Sequence, residues 1–130
     1  MSCHKNFDAW NEKKKTTHYD GVNKFYTPRE VWWCALGANV GYEQDGAAKT
    51  FERPVLILRG FSKHVCLIVP LTTSTKENPY HIAAGKVDGR EAQAIISQIR
   101  LADTKRFSNK VGFLDKNRFA SIQKAVKAML

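Results

Sequence analysis

The chain has 130 residues, 43% hydrophobic and 25% charged, the balance of a single globular domain long enough to bury a core. Lysine and arginine number 21 against 12 acidic residues, and the net charge of +9 favours polyanions, nucleic acid first and an anionic membrane surface second. No apolar run approaches the ~18–20 residues that cross a bilayer, and the opening "MSCHKNFDAW" lacks a signal-peptide core, so a cytoplasmic protein without a membrane partner is expected.

Residues 5–17, "KNFDAWNEKKKTT", read as a short basic helix with Phe7 and Trp10 on one face, broken by Asp20-Gly21. Residues 1–27 thus form an N-terminal helical extension, and residues 28–130 form the main domain. From Glu30 the pattern changes to strands. "EVWWCALG" is the first, followed by a long polar loop punctuated by Gly37, Gly41 and Gly46. "RPVLILRG" and "HVCLIVPL" are the second and third, joined by the tight turn "GFSK" as a hairpin. "YHIAAG" and "AQAIISQIRLAD" follow as further strands.

The C-terminal segment is helical, with Asp115 as N-cap and Phe119, Ile122, Val126 and Met129 recurring at helical spacing as a core-facing stripe. Short strands with turn signals, finished by one amphipathic helix, predict a small antiparallel β-barrel with appended helices. Cys3, Cys34 and Cys66 are too few and too far apart for a disulfide framework, and they suit a reducing compartment. His4, His18, His64 and His81 show no ligand spacing, and no phosphate-binding glycine loop or nucleophile elbow occurs. Neither a metal nor another cofactor is expected.

What remains is a set of polar groups at strand ends. Arg53 opens the second strand, and "PLTTST" closes the third. Antiparallel pairing through "GFSK" brings the start of one beside the end of the other, placing Arg53 near Thr72 and Thr73. A guanidinium beside hydroxyls suits a phosphate, since Arg engages two oxygens and a hydroxyl donates to a third. A solvated edge charge beside a polar turn is the alternative reading of the same residues.

Four stretches in order, "EVWWCALGANVGYEQDG", "RPVLIL", "VPLTTSTKENPY" and "SQIRLADTKRF", resemble the MazF/PemK toxins of bacterial toxin–antitoxin modules over about residues 28–130. The resemblance implies an SH3-like barrel, a homodimer, and sequence-specific cleavage of single-stranded RNA without a metal. Arg53 and Thr72 match the catalytic positions, Glu43 and Gln44 match the E-Q loop, and Gln98 and Arg100 match the Q-I-R strand. An acidic antitoxin protein is the implied partner. The loop from Glu43 to Arg53 is longer than the compact family form, and the first 27 residues resemble the extensions of longer PemK-like members. Packing against the barrel is the expected role of that extension, with direct RNA contact as the alternative.

Self-cleavage through the RNA 2′-OH needs no protein nucleophile, leaving a 2′,3′-cyclic phosphate and a 5′-OH. Arg53 is then the phosphate clamp and Thr72 a hydroxyl donor. A guanidinium is a poor base at neutral pH, so Glu43 and His81 stand as alternative proton acceptors. Lys49, Lys63, Lys76, Arg100, Lys105 and Arg106 are expected to line an RNA groove with Gln44, Thr73, His81 and Gln98, and Phe51 and Tyr80 to stack bases. A gyrase-binding toxin of the CcdB type and a non-catalytic RNA-binding barrel are the rival functions.

Overall fold

The computed structural model describes residues 23–36 and 52–130. The helix expected over residues 5–17 and the loop carrying Glu43, Gln44, Lys49 and Phe51 lie outside these residues. Seven strands and one helix follow in order: β1 (Glu30–Ala35), β2 (Glu52–Gly60), β3 (Val65–Thr72), β4 (His81–Val87), β5 (Arg90–Ile95), β6 (Arg100–Asp103), β7 (Phe107–Phe113) and α1 (Lys116–Met129). Every pairing among these strands is antiparallel, in the order β4-β5-β3-β2-β1-β7, with β6 also paired to β3.

The hydrophobic run in β2 explains why it is central. Val55, Leu56 and Ile57 are all fully buried, which requires apolar neighbours on both faces of the strand. β3 meets the same demand with Ile68, Val69 and Leu71. One face of the sheet carries Leu56, Val69, Leu71 and Ala94 and is packed by Phe119, Ile122 and Val126 of α1. The other carries Trp32, Cys34, Val55, Ile57, Ile68, Ala102 and Phe107. Trp32 and Phe107 stack there, with ring centroids 5.6 Å apart.

Connectivity forces the sheet to curl. β6 pairs with β3 and β7 pairs with β1, two strands away, yet only the 3-10 turn Thr104–Arg106 joins β6 to β7. The edges must therefore approach one another, giving a half-barrel around the Trp32–Phe107 core. Register shifts in the β1–β7, β2–β3 and β4–β5 pairs supply the local bends. α1 begins where expected, with the Asp115 carboxylate accepting from the Arg118 amide at 2.8 Å.

Two readings of the sequence change. "AQAIISQIRLAD" is two strands with the 3-10 turn Ile96–Gln98 between them. Ala94 lies opposite Leu71 and Arg100 opposite Ile68, so three steps along β3 match six along its neighbour. The surplus loops out as the turn. β7, polar at Ser108, Asn109 and Lys110, carries no alternation strong enough to read as a strand, and its exposed residues suit a sheet edge.

Candidate functional site

β2 and β3 are in register with Val55 opposite Pro70, Leu56 opposite Val69 and Ile57 opposite Ile68. Continuing that register by two residues sets Arg53 opposite Thr72 on one face of the sheet. Directly opposed residues of antiparallel strands have Cβ atoms about 5 Å apart, so one phosphate fits against both side chains. The sequence expectation from the hairpin thus has a concrete register behind it.

Thr72 ends β3 and is 7% exposed. Its Oγ1 accepts from the Ser74 amide at 3.1 Å, while Ser74 Oγ accepts from Lys76 and Asn78 Oδ1 accepts from Tyr80. The polar turn reading therefore holds for Thr72 and Ser74 as acceptors of local amide bonds. It does not use up Thr72, because a hydroxyl that accepts one bond still has a proton to give. The accepted bond also restrains the hydroxyl at the strand end.

Arg53, Thr72 and Thr73 border an open cleft of about 330 Å³. Trp33, Pro54, Leu71, Val87, Ala92 and Val111 supply its apolar lining, and Glu52, Asp88 and Arg90 add charge of both signs. Asp88 and Gly89 form the β4–β5 turn, both at positive φ (52° and 78°), as Asp-Gly hairpins require. Glu52 accepts from Ser108 Oγ at 2.5 Å, which ties the start of β2 to β7. Arg106 donates to the Ala35 carbonyl at 3.0 Å.

Cys34 and Cys66 are both buried free thiols. Burial pushes the Cys34 thiol up to about 12, although Arg106 and Arg100 pull it the other way. Cys66 is likewise raised to about 12 by burial, with Asp103 adding to the effect. Both are neutral thiols at physiological pH and poor nucleophiles. Among the described residues, no three His, Cys, Asp or Glu side chains converge as metal ligands.

Of the sequence candidates, Arg53, Thr72 and Thr73 come together at the cleft. Arg100 lies opposite Ile68, on the same face as Thr72 but four residues back along β3. Gln98 sits in the 3-10 turn, and Lys76 and Tyr80 are exposed in the β3–β4 connection, all outside the cleft lining. His81 begins β4, opposite Ile95. Glu43, Gln44, Lys49 and Phe51 lie outside the described residues.

The sequence reading missed Trp33, Glu52, Asp88, Arg90 and Gln93. The Asp-Gly turn was a legible signal for Asp88, but its approach to Arg53 depends on sheet curl. Gln93 lies opposite Thr72 in the β3–β5 pair, and its buried Oε1 has no hydrogen-bond partner among the described residues. The only sequence trace is a glutamine alternating with Ala92 and Ala94.

The family model described as "PemK-like, MazF-like toxin of type II toxin-antitoxin system" matches residues 27–130. No curated protein sequence matches the chain. Its fold is similar to that of MazF (Form-I) from Deinococcus radiodurans, with a TM-score of 0.66, 15% identity, and coverage of 82% of this chain and 96% of that one. The MazE-MazF structure (Form-II) from the same organism follows at TM-score 0.63 and 13% identity, covering 82% and 95%. An endoribonuclease in complex with its cognate antitoxin from Mycobacterial species superposes at TM-score 0.59 and 18% identity, covering 80% and 93%. At such identities the likeness is one of fold.

Proposed function

The chain belongs to the PemK-like, MazF-like toxins of type II toxin–antitoxin systems, and from that premise we propose that it is a metal-independent, sequence-specific endoribonuclease acting on single-stranded RNA. The observation that carries this reading is that Arg53, Thr72 and Thr73 line one cleft at the paired ends of β2 and β3. A ribose 2′-oxygen attacks the adjacent phosphorus, the bond to the 5′-oxygen breaks, and the products are a 2′,3′-cyclic phosphate and a 5′-OH. One proton leaves the 2′-OH and one reaches the departing 5′-oxygen.

Negative charge grows on the non-bridging oxygens as the pentacoordinate phosphorus forms. Arg53 meets that charge with paired N–H groups, and Thr72 adds the hydroxyl proton that its bond with Ser74 leaves available. Glu43 is the proposed proton acceptor of the family E-Q loop. RNA binding extends through Gln44, Lys49, Phe51, Thr73, Lys76, Tyr80, His81, Gln98 and Arg100, with the net charge of +9 providing long-range attraction. An acidic antitoxin competing for this basic surface, and a homodimeric toxin, complete the reading. The described residues contain no helix long and apolar enough to cross a membrane.

Incubating the protein with a defined RNA in EDTA and mapping the new ends tests the proposal. Strand scission in chelator with 5′-OH and cyclic-phosphate ends is the expected result. RNA left intact by folded protein overturns it.

A further inference from the structure

Gln93 stands in a position that the chemistry above does not use. Across one face of the sheet, the register aligns Cys34 on β1 with Arg53 on β2, and Thr72 on β3 with Gln93 on β5 and Ala83 on β4. With strands about 4.8 Å apart, Gln93 is one strand beyond Thr72 and two beyond Arg53. His81 shares the Ala83 side of β4, two residues away, and is a diagonal neighbour of Gln93. Gln93 Oε1 and His81 Nδ1 are the two buried side-chain polar atoms without a hydrogen-bond partner among the described residues. Ala83 between them is exposed and small enough for a flat group to approach the strand.

Orphaned buried polar atoms are rare because desolvating them is costly, and their clustering calls for a missing partner. Both lie on the β5–β4 side of Thr72, Gln93 directly across from it and His81 one strand further. We propose that Gln93, assisted by His81, is a specificity-determining residue that reads the base of a nucleotide flanking the scissile phosphate. From a phosphate held between Arg53 and Thr72, Gln93 lies about 7 Å away, one and a half strand spacings, within reach of the base on an adjoining nucleotide. A carboxamide presents an acceptor and donors side by side, matching the adjacent donor and acceptor of a base edge. Its partner in the row, Thr72, holds the phosphate; Gln93 selects which nucleotide is cut. This inference rests on the ribonuclease reading.

A pool of RNAs randomised in sequence is cleaved by wild-type protein, Gln93→Leu, Gln93→Glu and His81→Phe, and the ends are sequenced. Gln93→Leu should lose base preference at one position beside the cut and lower kcat/KM on the preferred sequence about ten- to a hundredfold. Gln93→Glu, which accepts but does not donate, should change the preferred base rather than only weaken cleavage. Unchanged preference in both folded Gln93 variants overturns the proposal.

Because a variant can fail to fold, a second measurement uses the wild-type protein. A pool of 2′-deoxy-substituted single strands, which cannot self-cleave, should shift the Gln93 side-chain amide signals in an NMR titration. Static signals at saturation also overturn the proposal. A wild-type protein that cuts no RNA sinks the ribonuclease reading, while the amide titration still decides whether Gln93 contacts a base.

Discussion

Removing the Thr72 hydroxyl separates the catalytic role proposed for this residue from its structural one. Thr72→Val keeps the shape of a side chain that is 7% exposed, so no cavity opens and β3 keeps its β-branched residue. Two bonds disappear. One is the acceptor for the Ser74 amide at 3.1 Å, whose loss costs about 0.5–1.5 kcal/mol of stability. For a domain of this size that corresponds to a fall of roughly 2–6 °C in Tm. The other is the proposed donor to the phosphate; if it forms fully only as charge develops, its loss should lower kcat about 10- to 1000-fold with KM little changed. Thr72→Ser restores both bonds and should recover most of the rate. Single-turnover cleavage of one defined RNA, beside thermal unfolding of the same samples, measures both effects. A folded Thr72→Val protein within about threefold of wild type would refute the donor role, since a single lost transition-state donor costs more than that. Serine and valine variants failing equally would refute it too, because shape rather than the hydroxyl would then matter.

Arg53→Ala should abolish cleavage without unfolding the protein, and Arg53→Lys should recover little, because a point charge lacks the two parallel donors of a guanidinium. Circular dichroism and cleavage assays on the same preparations check this. Cys34 and Cys66 should resist alkylation at pH 8 until the protein unfolds, as mass spectrometry of labelled peptides will show. Their burial also sets a pH dependence. Both folded values are raised from 9.0 to about 12, so the unfolded chain loses these protons first and stability falls as pH rises between those values. Gly85→Ala should lower Tm, because the backbone sits at φ +79° and an added Cβ would lie 2.8 Å from Arg118 Nε on α1. Denaturant titration should register a loss of about 1–3 kcal/mol for such a strained position.

Much of the architecture was legible from local pattern. The β2–β3 hairpin, the start of α1 and its buried stripe follow from an apolar run, a tight turn and a capping aspartate. Local pattern failed where non-local pairing decided the outcome. The jog between β5 and β6 exists because both must pair with β3 at different registers. β7 is a strand because β1 offers it an edge, and its own polar residues give no alternation to announce it.

The site divides along the same line. The hairpin closed by "GFSK" brings Arg53 near Thr72 and Thr73, so the sequence by itself determined that neighbourhood, along with the basic charge and the family motifs, while the bulge between Ile57 and Arg59 decides which threonine the register favours. Gln93, Asp88 and Arg90 lie far along the chain and carry no motif. Their place beside that pair was decided by tertiary structure alone. A strand's neighbours are chosen by which buried faces fit together, and no periodicity within β5 says that Thr72 stands across from Gln93.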